Sequence, residues 1–320
     1  MGNSKLILVT ALTGVVFLTL VLITVFLVVK ENQEPLNTRT GLLLSPLSNL
    51  MPTSRPSPTP TVVLLPIPEA KVLAGGSHLF QTFNNCGPAV LSMALSYYGI
   101  DVSQQTLGKE LRPHQHPRGI NDDKSVTFTE LAAKAEDFGL LAYHRPMGDP
   151  EIIKNFIYYD LPVMVRTLLL PDDDIGHYRL IKGFEQNGQI LVQDDSMQGK
   201  NLRYSVSEMN RLWQVFSYEY LVLVPKGKQS IAEAIIGVDV DQTIAWEKAL
   251  QMAETEINHY PEKVYLWFNK SIADYHLGNY QQSVQAICKA VSQAMVSSRS
   301  FPIITSAMFC LSLGTITRYS

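Results

Sequence analysis

Cysteine is scarce in this sequence. Cys86, Cys288 and Cys310 are the only three in 320 residues and lie far apart, which excludes a disulfide framework of the kind that holds small secreted domains together. Charge is sparse as well: 17% of residues are charged, the net charge is -3, and the lysines and arginines form no cluster. Neutralising a nucleic-acid backbone needs a concentrated basic surface, so no nucleic-acid partner is expected. Metal-ligand spacing is missing too. His114 and His116 sit in a Pro-containing loop with no Cys or carboxylate to complete a tight set, so no metal and no cofactor is expected.

One stretch lacks charge altogether. Leu6 to Val29 is uninterrupted by any charged residue, and as a helix rising about 1.5 Å per residue it covers a bilayer core of about 30 Å. It has no polar face and leads into a linker rather than partner helices, which disfavours a buried core helix. No small-residue cleavage site follows near Val29, so residues 1–30 read as an uncleaved signal-anchor. Lys5 on the N-terminal flank, against Lys30 offset by Glu31 and Glu34, places the N-terminus in the cytoplasm and the rest outside. The expected location is the cell membrane, single-pass through residues 6–29, with the remaining domains extracytoplasmic.

Residues 31–71 read as a stalk. Glu31 to Pro68 holds eight of the 18 prolines and four charged residues, a composition that favours extended polyproline conformations over a core. A globular composition begins near 72 and continues to 227. Its opening helix follows Asn84-Asn85, either of which can cap it, with Pro88 in the first turn and Leu91, Ala94, Leu95 and Tyr98 along one stripe before Gly99. Further helices are expected over Ser103 to Leu111, after the capping-box spacing Thr127-Phe-Thr-Glu130, from Asp149-Pro150, and from Ser205-Val-Ser-Glu208. Strands are expected at Leu161–Val165, His177–Phe184, Gln189–Gln193 and Tyr218–Val224, with Asn187-Gly188 as a hairpin turn. Helices followed by an antiparallel sheet make an α+β domain.

Residues 228–320 read as helical. Trp267 to Ala273, Leu277-Gly-Asn-Tyr280 and the spacing of Ala286, Lys289 and Ala290 resemble one tetratricopeptide repeat, with Trp246 to Tyr260 as the second helix of a preceding one. About three repeats are usually required for a stable stack, so this region is expected to lean on the central domain or to be incomplete. Phe301 to Thr317 reads as the first helix of a further repeat. Such helices offer a docking site for a protein partner.

The chemistry centres on Asn84-Asn-Cys-Gly-Pro88. A cysteine at a helix start meets the positive end of the helix dipole and unpaired N–H groups, which favour the thiolate. The expected position of Cys86 in a polar first turn, off the apolar stripe, argues against a merely buried thiol. Among seven histidines, His177 opens a predicted strand behind Gly176 and a loop, where it can face a helix N-terminus. Asp194-Asp195, at the end of the next strand, offers a carboxylate to orient that imidazole. Gln81, five residues before Cys86, can donate its side-chain amide to an oxyanion together with the Cys86 N–H.

Gln81, Asn84-Asn-Cys-Gly-Pro-Ala89, Gly176-His-Tyr178 with Gly183, and Asp195-Ser-Met-Gln-Gly199, in that order, resemble the papain-like double-glycine (bacteriocin-processing) cysteine peptidases of family thirty-nine. The likeness spans about Leu73 to Val224 and is greater to the stand-alone, extracytoplasmic branch than to the transporter-fused one. It implies a papain-like fold, a bacterial source, Cys86 as nucleophile, His177 as base, Gln81 as oxyanion donor and Asp195 as orienting residue. Asp194 is the alternative to Asp195. The family commonly has Asp-Pro where this chain has Asp195-Ser196, and Gly199 falls at the family's spacing from Asp195. The activity expected is hydrolysis of a peptide or amide bond through an acyl-enzyme, with a peptide or protein as substrate. Acyl transfer to an amine on the same fold, and a non-catalytic anchored module that binds through its helices, are the alternatives.

Overall fold

The computed structural model describes residues 62–114, 125–173 and 175–296. Leu6–Val29, most of the stalk, His116, Cys310 and Phe301–Thr317 lie outside the described residues. Among the described residues no helix is long and apolar enough to cross a membrane.

The elements in chain order are β1 (Lys71–Val72), α1 (Cys86–Ser96), α2 (Gln104–Leu111), α3 (Phe128–Glu136), β2 (Leu141–Arg145), α4 (Pro150–Tyr158), β3 (Val163–Leu168), β4 (Gly176–Glu185), β5 (Ile190–Asp195), β6 (Gly199–Ser205), α5 (Val206–Trp213), β7 (Tyr220–Val224), α6 (Gln229–Ile236), α7 (Gln242–His259), α8 (Val264–His276) and α9 (Tyr280–Val296). Short 3₁₀ turns join several of them. The strands form one sheet in the order β2-β7-β3-β4-β5-β6, with β1 paired to the end of β4 beyond the reach of β3. All pairings are antiparallel.

Period-two alternation explains how the sheet is covered. Met164, Tyr178, Leu180, Leu221 and Leu223 face α1 and α3. Val163, Val165, Ile181, Val222 and Val224 face the opposite layer, where α4, α5 and α6 contribute Phe156, Trp213 and Ile236. Both faces of the central strands are therefore covered. The expected α+β arrangement is present, with a second helical layer that the sequence pattern did not announce.

Three local starts match their sequence signals. Thr127 and Glu130 form a reciprocal capping box, as do Ser205 and Glu208, and Asp149 caps α4 through the Ile152 N–H. Two expectations fail. Asn85 occupies the cap position of α1 but its side chain makes no cap bond; it binds Thr82 Oγ1 and accepts from the Arg112 guanidinium instead. Nor is α1 amphipathic: every residue from Cys86 to Leu95 is buried, so Cys86 does not lie on a polar face. The Asn187-Gly188 turn is present as a 3₁₀ turn with Gln186, Asn187 and Gly188 all at positive φ. Strands β2 and β6 escaped the pattern. Leu-Ala-Tyr-His-Arg sets two polar residues side by side and Gly-Lys-Asn-Leu-Arg-Tyr-Ser spaces its charges three apart, so neither alternates cleanly, and their pairing with β7 and β5 decides their state.

The C-terminal helices lean on the central domain. Leu168, Leu212, Val215 and Phe216 form one cluster with Val264, Phe268 and Ile287, and Arg166 lies over the rings of Phe216 and Phe268, at 4.4 and 5.9 Å. Asn269 donates to the Gln214 carbonyl. Deeper in the contact, His276 stacks on Trp246 at 3.9 Å and meets His144, which binds Glu219 at 3.2 Å. Burial and the neighbouring His144 push His276 down to about 4, so this contact is built on a neutral imidazole. Burial alone would raise the Glu219 carboxyl, yet His144 and Arg166 hold it below its usual range. Within the helical region, Gly278 takes positive φ at the turn before α9, and the Ser271 and Ser283 hydroxyls meet at 3.1 Å between α8 and α9.

Candidate active site

Three elements converge at the site: the start of α1, the start of β4 and the end of β5. Asn85 is the residue before α1, and its carbonyl already accepts from the Ala89 N–H. The Cys86 N–H consequently has no intrahelical acceptor, as for the first amides of any helix. Cys86 itself is only 6% exposed.

His177 follows Gly176 as the second residue of β4 and is 1% exposed. Its Nε2–H donates to Asp195 Oδ1 at 2.9 Å, which leaves Nδ1 as the ring's other polar atom in the cleft that His177 and Cys86 line together. Burial alone would lower the His177 pKa; the Asp195 bond and the Cys86 contact outweigh it and raise the group above its ordinary value. Charged imidazolium is thereby favoured beside the sulfur.

Asp195 is fully buried. Burial would raise its carboxyl, but the His177 bond and the charges of His177 and Arg179 bring it down to about 2. Oδ1 also accepts from the N–H groups of Met197 and Gln198, at 2.7 and 2.9 Å, and Oδ2 accepts from Arg179 at 2.5 Å. Arg179 is held in turn by Thr167 Oγ1, the Leu169 carbonyl and Gln198 Oε1. The strand register explains why Asp195 and not Asp194 meets the histidine. Asp195 pairs with Arg179, two residues from His177 and therefore on the same face, whereas Asp194 pairs with Leu180 on the other. There Asp194 binds Lys182 at 2.8 Å and the Asn201 N–H.

Gln81 reaches the site from the segment before α1. Its backbone N–H donates to the Ser196 carbonyl at 2.9 Å, and its Oε1 accepts from the Ser196 hydroxyl at 2.7 Å. With Cys86, His177 and Ser196 it lines a cleft of about 450 Å³. The cleft is rimmed by the exposed apolar side chains of Phe80, Phe83, Ile175 and Met197. Among the described residues no group of three or more His, Cys, Asp or Glu is arranged to hold a metal ion.

The structure thus brings together Gln81, Cys86, His177 and Asp195, and sets Asp194 apart. Sequence reasoning missed Arg179, although a lone arginine two residues after His177 in an apolar strand was a usable signal. It also missed Ser196 and Gln104. Gln104 donates to the Phe80 carbonyl and accepts from the Thr82 N–H, and nothing in its helical context marks that role.

Residues 76–221 match the family model described as Peptidase_C39 like family. No curated protein matches the chain. Among solved structures, a protein described as a C39-like peptidase from Bacillus anthracis aligns at TM-score 0.43 and 15% identity, over 50% of this chain and 99% of its own. The peptidase domain of Streptococcus ComA, a bi-functional ABC transporter involved in quorum sensing, aligns at 0.37 and 20%, over 48% and 100%. A double glycine motif protease from an AMS/PCAT transporter, solved with its leader peptide, aligns at 0.36 and 18%, over 48% and 97%. Between its N-terminal segment and its C-terminal helices, this chain is thus similar over residues 76–221 to the C39-like peptidase family.

Proposed function

We propose that the chain is a membrane-anchored, extracytoplasmic thiol peptidase that hydrolyses a peptide or amide bond through an acyl-enzyme on Cys86. The observation that carries this reading is His177, bonded to Asp195 and lining one cleft with Cys86 at a helix start. In this reading Asp195 fixes the tautomer with Nε2 protonated, so Nδ1 takes the Cys86 proton. The thiolate attacks the substrate carbonyl carbon. The resulting oxyanion lies toward the Gln81 amide and the Cys86 N–H. His177 then returns the proton to the leaving amine, a thioester remains, and water hydrolyses it by the reverse proton path. The apolar rim of Phe80, Phe83, Ile175 and Met197 favours a peptide with apolar side chains beside the scissile bond. Membrane anchoring rests on the uncharged Leu6–Val29 stretch, and the helices α7–α9 offer a surface to a protein partner.

The experiment is a trap. Acid quench of the full chain during turnover of p-nitrophenyl acetate, followed by peptide mapping, is expected to find the acetyl group on Cys86. Acetylation confined to Cys288, or absent, overturns the proposal.

A further inference from the structure

An amide oxyanion donor works only if its NH₂, and not its carbonyl oxygen, faces the developing charge. The two ends of a glutamine amide have nearly the same shape, so some neighbour must choose between them. At Gln81 the choice is made by the turn after β5. Ser196 is 1% exposed, and its hydroxyl donates to Gln81 Oε1 at 2.7 Å. The same residue's carbonyl accepts the Gln81 N–H at 2.9 Å. Gln104 grips the other edge, its amide spanning the Phe80 carbonyl and the Thr82 N–H at 2.7 and 2.9 Å. Gln104 is itself 5% exposed, and Thr82 is tied onward to Asn85 and through it to buried Arg112. The backbone on either side of Gln81 is therefore fixed, and only its amide orientation is left to be set.

We infer that Ser196 is a positioning residue for the oxyanion site: its hydroxyl holds Gln81 Oε1 so that Nε2 is turned to the cleft it shares with Cys86 and His177. The inference rests on the thiol-catalyst reading and adds to it the residue that orients its amide. A flipped amide would place its carbonyl oxygen against the oxyanion and its NH₂ against the Ser196 oxygen, which would then have to turn its hydrogen away and accept instead of donating. Ser196 touches neither the substrate carbonyl nor the sulfur in this scheme. Its effect travels through Gln81 alone.

Two small reagents separate the steps without knowledge of the natural substrate. With p-nitrophenyl acetate the Cys86 sulfur bonds to the carbonyl carbon, an oxyanion forms, and p-nitrophenolate leaves. With iodoacetamide the sulfur displaces iodide from a saturated carbon and no oxyanion forms. Both rates are measured at Cys86 by peptide mapping of the full chain, in the parent, Ser196→Ala, Gln81→Ala and the double variant. Removing an oxyanion donor commonly costs about 10²–10³-fold, and one orienting hydrogen bond about fivefold to tenfold.

The expected result is that Ser196→Ala slows acylation about fivefold to tenfold and leaves alkylation unchanged. In the Gln81→Ala background the same substitution has no further effect, the sign of two residues acting as one unit. Unchanged acylation in Ser196→Ala overturns the inference. So does an equal loss in both backgrounds, or a matching loss in alkylation, which would place Ser196 on the Cys86–His177 pair instead. Full acylation in Gln81→Ala overturns it as well. A parent Cys86 no more reactive than Cys288 toward either reagent overturns the thiol-catalyst reading beneath it.

Discussion

Cys86→Ala and His177→Ala are each expected to lower peptide turnover by about 10⁴-fold or more, because members of a nucleophile–base unit fail together and the loss of one forfeits nearly the whole covalent route. The two variants should differ in what survives. Without the sulfur no acyl-enzyme forms at all. Without the imidazole, Cys86 remains at the helix start, where the dipole still favours thiolate, so slow acylation by an activated ester persists while amide cleavage, which needs a protonated leaving group, does not. Substituting Cys288, an exposed free cysteine on α9, should change neither rate. A Cys86→Ala protein that retains full turnover would remove the proposed mechanism.

Asp195→Ala is expected to cost both activity and stability, whereas Asp194→Ala should cost mainly the latter and less of it. Removing the Asp195 carboxylate leaves Arg179 fully buried without its counter-charge, a situation worth about 3–5 kcal/mol. It also releases the His177 tautomer, for an expected loss in kcat/KM of about 10²–10⁴-fold. Asp194 also leaves a cation behind, but Lys182 opens onto a cavity of about 590 Å³ that it lines with Asp194 and Lys200, where water can replace the lost carboxylate. Thermal unfolding and steady-state kinetics on the two variants check the contrast.

The pH dependence has a definite sign. Asp195 is lowered on folding from 3.8 to about 2, so its contribution is fully present above the unfolded value and is lost as pH falls through the folded one. That difference corresponds to about 2 kcal/mol. His177 is raised, and its contribution runs the other way, complete below about 6.5 and lost as pH rises through its folded value. Asp195→Ala, which removes the main group raising His177, should therefore move the alkaline limb of activity to lower pH.

How much of this was legible in the sequence depends on the range of the interaction. Capping boxes at Thr127 and Ser205, the Asp149-Pro150 start and the central strands are local or periodic, and each is found within a few residues of its expected place. The choice between Asp194 and Asp195 was within reach of period-two reasoning once β4 and β5 were paired, since only Asp195 falls on the His177 face. Other features needed the third dimension. Asn85 carries a cap residue's chemistry but finds Arg112 and Thr82 closer to hand. The full burial of α1 follows from a sheet below it and α2 and α3 beside it, and no window of the helix alone contains that information. Ser196 holds Gln81 from 115 residues away, and Gln104 holds its neighbours Phe80 and Thr82 from 24 and 22 residues away, which no local motif encodes.

Cys86 is buried and Cys288 exposed, so accessibility alone predicts that iodoacetamide labels Cys288 first. The catalytic account predicts the reverse: in a mass-resolved time course on the full folded chain, Cys86 is alkylated faster than Cys288, and His177→Ala abolishes the advantage. Labelling of Cys86 no faster than Cys288 in the parent chain would contradict the claim that Cys86 is an activated nucleophile.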